Sequence, residues 1–249
     1  MVLVIDEDWE GGSDGVGVTT GNSTIDGILL SGAGIGQFSN AQNPGAGGAL
    51  SLRANGTSGT GGWSAFWDFA AVDEFTFETW IRLTGLGTYA WPNGDANAGS
   101  FAKYFSVGLT NPSIPGAGFN CSLGTLGGMF VTDPLLVTGT QHLNADGTLR
   151  VDHLYDSAGK LFIAAATDYK ITVQGKMSDD FYDLLIDDVQ VNTVPLPMYG
   201  AGDVVTRLQL GNFRGGSVIG DMWIGDVTLD NTLIPAGPGP SSGGGDPFS

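Results

Sequence analysis

The sequence predicts an all-β chain. Three observations carry this. Short runs of β-branched and aromatic residues alternate with polar ones, and Phe75-Thr-Phe-Glu-Thr-Trp-Ile-Arg-Leu83 is the clearest. The 249 residues hold 42 Gly, and 22 Asp against only four Glu: Glu7, Glu10, Glu74 and Glu78. Asp favours turns and caps, whereas Glu favours helices. Finally, no segment longer than about ten residues sustains a helical period with caps.

Taken in order, residues 2–9 read as a first strand running into the turn cluster Glu10-Gly-Gly-Ser-Asp-Gly15. Residues 11–48 are rich in Gly, Asn and Ser, and are expected as long loops wrapped on a sheet. Ala49-Leu-Ser-Leu-Arg53 is a strand, and Asn55-Gly56 turns the chain after it. If residues 63–69 are extended, Trp63, Ala65, Trp67 and Phe69 share one face. In the next strand Phe75, Phe77, Thr79 and Ile81 face one way, and Thr76, Glu78, Trp80 and Arg82 the other. Residues 102–109 form a further strand. Residues 135–137, 148–155 and 160–166 form a meander turned at Asp146-Gly147 and Asp156-Ser-Ala-Gly159, which 169–173 continues.

A sandwich of roughly 200–250 residues commonly forms one domain. Residues 1–235 are therefore read as that domain. Residues 236–249, built of Gly, Pro and Ser around few apolar groups, cannot bury a core and read as a C-terminal tail.

The formal net charge of −17, with nine basic residues, argues against nucleic acid and anionic membrane surfaces as partners. No apolar run approaches a membrane span. Cys121 is the single cysteine, so these residues fold without an internal disulfide. The N-terminus lacks the basic and apolar regions of a signal peptide, which implies synthesis in the cytoplasm.

The closing stretch carries the most specific pattern. Asp183-Leu-Leu-Ile-Asp-Asp-Val-Gln-Val191 places the turn pair Asp187-Asp188 between two apolar runs. Arg207-Leu-Gln-Leu-Gly-Asn212 is a strand ending in glycine, and in residues 220–230 Met222, Ile224 and Val227 alternate with polar residues. With Gly48-Ala-Leu-Ser-Leu-Arg-Ala-Asn-Gly56 and the Phe75–Leu83 strand, this ladder resembles the laminin-G-like, concanavalin A-like lectin-glucanase jelly roll over residues 2–235. The sequence departs from that family where a "W-x-H-V" strand would stand, with Asp152-His153-Leu154 or Lys170-Ile-Thr-Val173 nearest to it. The resemblance implies a two-sheet antiparallel jelly-roll sandwich. It is compatible with sugar binding, glycan hydrolysis or surface architecture, and fold alone does not choose among them.

The candidate sites follow from residue chemistry. In Tyr89-Ala-Trp91-Pro-Asn-Gly-Asp95 an indole suits a pyranose C–H face, while Asn93 and Asp95 supply oxygens for hydroxyls. Tyr89, Trp91, Asn93 and Asp95 are the expected carbohydrate-binding residues, with Trp63 and Trp67 as further aromatics more suited to the core. Asp95 and Asn97 are spaced as calcium ligands are, and Asp187 with Asp188, or Asp226 with Asp230, could add carboxylates. The same residues also suit Asx turns. Glu74 and Glu78 share a strand face, and Glu74-Phe-Thr-Phe-Glu78 resembles the E-x-D-x-E carboxyl pair of retaining jelly-roll glycosidases, but Thr76 stands in place of the central Asp.

The expectation is therefore a non-catalytic structural and adhesion protein. Its most specific form is a phage virion component, a minor tail or capsid-decoration protein on the virion surface. It would present a lectin-like face to host-surface glycans and use its tail to contact other virion proteins or further copies of itself. The alternatives are a free carbohydrate-binding module, and a glycoside hydrolase using Glu74 and Glu78.

Overall fold

The computed structural model describes residues 2–31, 35–55, 63–83, 103–113, 118–124, 130–133, 152–154, 166–179, 181–190, 196–197, 204–211 and 221–233. Among them are sixteen strands and two single-turn 3-10 segments. In chain order the strands are β1 (Leu3–Glu7), β2 (Gly27–Ser31), β3 (Ile35–Ser39), β4 (Ser51–Asn55), β5 (Trp63–Val72), β6 (Glu74–Leu83), β7 (Lys103–Thr110) and β8 (Gly118–Gly124). They continue with β9 (Phe130–Asp133), β10 (Asp152–Leu154), β11 (Asp168–Lys176), β12 (Phe181–Ile186), β13 (Val189–Gln190), β14 (Leu196–Pro197), β15 (Val205–Gly211) and β16 (Met222–Asp230).

The first sheet runs β13-β12-β11-β6-β16-β4-β3, with β1 also on β16 and β14 on β12. The second runs β10-β9-β8-β7-β15-β5-β2. Every strand pairing among the described residues is antiparallel, and the chain is a jelly-roll sandwich.

The predicted alternation governs the core. Phe75, Phe77, Thr79 and Ile81 of β6 all point inward and are buried. Across the register they meet Ile171 and Val173 of β11, and Ile224, Val227 and Leu229 of β16. From the second sheet Trp63, Ala65 and Trp67 of β5, Val107 and Leu109 of β7, and Leu208 and Leu210 of β15 are buried against them. Phe69 is only partly buried, because β5 is opening to solvent there. Each large apolar side chain so buried contributes about 1.5–3 kcal/mol.

The Asp187-Asp188 turn forms as expected. Both residues have positive φ, 52° and 65°, as the tight two-residue turn joining β12 to β13 requires.

Residues 11–48 differ from expectation. Instead of loops alone they include β2, paired with β5, and β3, paired with β4. The reason is close packing without side chains. A Cβ on Gly36 would overlap the Trp63 indole, and one on Gly27 would overlap the Phe66 ring. Glycine therefore occupies positions where an apolar residue would otherwise have shown a strand period. Of the expected meander, 152–154 form β10, paired with β9 in the second sheet. Residues 169–173 do not continue it: they belong to β11 of the first sheet, where Ile171 and Val173 stand in register with Thr79 and Phe77 of β6. Residues 135–137, the rest of 148–155, 160–165 and the tail at 236–249 lie outside the described residues.

Candidate functional site

Tyr89, Trp91, Asn93, Asp95 and Asn97 lie outside the described residues. Trp63 and Trp67 are core groups. Trp67 Nε1 donates to Thr24 Oγ1 at 2.9 Å, and its ring sits edge-on to Trp9 with centroids 6.2 Å apart.

Glu74 and Glu78 stand on the outer face of the first sheet inside an ion-pair ladder between β6 and β11. Lys176 Nζ lies 3.1 Å from Glu74, Lys170 Nζ 2.7 Å from Glu78, and Arg82 Nη1 2.7 Å from Asp168. Thr172 Oγ1 also donates to Glu78, at 3.1 Å. Burial pulls the Lys170 ammonium down, but its hydrogen bonds to Glu78 and Asp188 outweigh this and hold it above its ordinary value. Both carboxylates thus tie β6 to β11.

Two other groupings come together only in the fold. The first lies on the outer face of the second sheet, where β5 and β15 run side by side. Register places Arg207 opposite Asp68, and Gln209 opposite Phe66. Arg207 Nε donates to Asp68 Oδ1 at 2.6 Å and Nη2 donates to Oδ2 at 2.7 Å, a fork-to-fork pair. The guanidinium carbon lies 4.0 Å from the Phe66 ring centroid. Asp26 joins from the loop before β2, its Oδ2 accepting the Asp68 backbone N–H at 2.7 Å. The Arg207 hydrogen bond holds the Asp68 carboxyl below its ordinary value. Asp68 keeps 48% of its side chain exposed and Arg207 keeps 20%. The result is an aromatic, a guanidinium, a carboxylate and an amide on one accessible surface.

The second grouping is an acidic corner. The register of β16 slips between Ile224 and Val227, and this bulge carries Gly225 and Asp226. Trp9 Nε1 donates to Gly225 O at 2.7 Å. The loop around the 3-10 turn Pro44–Ala46 lies against the bulge: a Cβ on Gly47 would overlap Asp226, and one on Gly48 would overlap Glu10. Glu10 Oε1 accepts the Ala49 and Leu50 backbone N–H groups at 2.5 and 2.8 Å. Asn43 Nδ2 donates to Gly48 O. Asp226 Oδ1 and Asn43 Oδ1 are buried oxygens with no hydrogen-bond donor. Burial, followed by the charges of Asp8, Asp6, Glu10 and Glu7, pushes the Asp226 carboxyl above its ordinary value.

Among the described residues no group of three or more His, Cys, Asp or Glu has metal-site geometry. The oxygens gathered at this corner, two carboxylates and an amide, are of the hard type that calcium takes. No helix among the described residues is long and apolar enough to cross a membrane.

No protein-family model matches the chain. No curated protein matches it either. Solved structures of similar fold include an endo-β-1,4-glucuronan lyase from the fungus Trichoderma reesei, with a TM-score of 0.59 and 12% identity over 94% of this chain and 98% of that one. The cellulose-induced protein Cip1 gives a TM-score of 0.58 and 12% identity over 94% and 100%. A botulinum neurotoxin type C structure, described with cell entry through two ganglioside molecules, gives 0.53 and 11% over 94% of this chain. The chain spans about half (49%) of the length of that toxin chain. At these identities the likeness is one of fold.

Proposed function

We propose that the chain is a non-catalytic, lectin-like carbohydrate-binding module whose binding surface is the outer face of the second sheet at β5 and β15. The observation that carries this reading is the Phe66–Arg207–Asp68–Gln209 surface. It offers fixed hydrogen-bond donors and acceptors beside an aromatic ring, the mixture that sugars require. The likeness to a toxin structure described with gangliosides supports it at the level of fold. Screening an array of glycans should find ligands at millimolar affinity or better, and Phe66→Ala should weaken them at least tenfold while the melting temperature stays within a few degrees. Release of reducing ends from a glucan, lost in Glu78→Gln, would overturn the non-catalytic part of the reading.

We further propose that this module is displayed on a phage virion. The support is compositional: a single cysteine, so that the sandwich needs no disulfide, and a Gly- and Pro-rich stretch at residues 236–249 whose composition suits contact with neighbours. Mass spectrometry of purified virions should detect the chain, and a chromosomal secreted origin would remove this setting.

The acidic corner is proposed as a calcium site held by Asp226, Glu10 and Asn43. Because Asp226 titrates above its unfolded value, its ionised form subtracts stability at neutral pH. That loss is recovered as pH falls through the folded value towards the unfolded one. A bound cation offsets the same repulsion without acid. At a hundredfold excess over its dissociation constant, calcium should add about 2.7 kcal/mol, or roughly 5–10 °C in melting temperature for a chain of this size. Asp226→Asn should melt above the wild type in chelator and lose the calcium response. An unchanged wild-type melt on adding calcium would remove the site.

A further inference from the structure

Resting on the reading of the β5–β15 surface as a glycan site, we propose that its ligands are neutral sugars bearing adjacent hydroxyls, and that uronates and sulfated sugars are rejected. An arginine offers carboxylate or sulfate two forks: the Nε edge with one terminal nitrogen, which the side chain presents most directly, and the edge between its two terminal nitrogens. In Arg207 the first fork is already closed by Asp68, with bonds of 2.6 and 2.7 Å, and it is the charge already paired on the Nε edge that counts against an anion. One face of the guanidinium is also covered by Phe66.

The groups left to a ligand are the Nη1 donors, the second Nη2 hydrogen and the outer lone pairs of the Asp68 carboxylate. Carboxylate lone pairs take hydroxyl protons, and guanidinium hydrogens give to hydroxyl oxygens. A vicinal diol satisfies both at once, whereas an anion satisfies only the second. Asp26 adds a second carboxylate held against the Asp68 backbone, so two negative charges face one positive charge at this spot. The formal charge of −17 on the whole chain raises the cost of an approaching anion further.

The pair itself sets the selectivity, so Asp68→Asn should reverse it. The carboxylate that accepts hydroxyls is lost, and the arginine fork becomes available to an acidic sugar. Calorimetry would use the full chain with neutral gluco-, galacto- and manno-oligosaccharides, and with uronate oligosaccharides of equal length, at 20 and 200 mM salt. The expected result is wild-type binding to at least one neutral series and at least tenfold weaker binding to every uronate. Asp68→Asn should lose at least tenfold for the neutral ligand and gain salt-sensitive uronate binding. Wild-type binding to uronates as tight as to neutral sugars, weakening with salt, would overturn this inference and leave the glycan-binding reading standing. Binding to neither class would overturn both.

Discussion

Glu7→Ala should be among the most damaging single substitutions in the chain, costing about 3 kcal/mol or more. Glu7 is 2% exposed, and its carboxylate is hydrogen-bonded entirely to neutral donors. Oε1 accepts the Trp9 backbone N–H at 2.9 Å, and Oε2 accepts the Thr24 backbone N–H at 2.5 Å and the Thr24 hydroxyl at 2.8 Å. Thr24 in turn takes the Trp67 indole N–H. One carboxylate thus fastens the end of β1 to the loop that leads into β2, and through it to β5. Truncation leaves the buried Trp9 N–H without an acceptor, costing roughly 1–3 kcal/mol, and removes both bonds to the part-buried Thr24. Urea unfolding should show a lower midpoint at an unchanged slope. Glu7→Gln keeps one acceptor oxygen and should cost less than half as much; equal losses for the two would assign the effect to shape and not to hydrogen bonding.

Trp9→Ala should cost a similar amount, about 3–5 kcal/mol, as deletions of large buried aromatics do. Trp9 is fully buried despite a positive φ of 59°, and its ring packs edge-on against Trp67. Its indole also holds the Gly225 carbonyl at the bulge that aims Asp226 into the acidic corner. Trp9→Ala should therefore reduce the calcium response as well as the melting temperature. Trp9→Phe retains most of the packing, so it separates the two effects: a stability loss of about 1 kcal/mol with a weakened calcium response identifies the indole hydrogen bond as the link. An intact calcium response in Trp9→Ala would break that link.

What could be read in advance follows a physical division. The faces of β5 and β6 and the Asp187-Asp188 turn were legible because a half-buried strand writes its burial into a period of two, and a tight turn writes its φ values into residue type. β2 and β3 were not, because Gly27 and Gly36 contribute absence where neighbouring rings need room. Arg207 and Asp68 were legible as charges but not as a pair. They are 139 residues apart, and only the register of β15 on β5 makes them neighbours. The same holds for Glu10, Asn43 and Asp226, which arrive at one corner from a turn, a loop and a bulge. The carboxylate of Asp226 suits calcium by residue type, whereas nothing in the sequence spacing joins Glu10 or Asn43 to it.

β16 pairs with β6 on one side and with both β4 and β1 on the other, and the backbone N–H groups of Val2 and Asn231 reach across to each other's residues, 229 positions apart. A ribosome must therefore release almost all of this domain before the middle of its first sheet can close. Until then β1, β4 and β6 wait with unsatisfied edges in a chain dominated by distant pairings, the topology that folds in milliseconds to seconds or slower. During that interval the protein is most exposed to misassociation with other nascent copies. The strong negative charge that keeps such copies apart serves the protein before its fold exists.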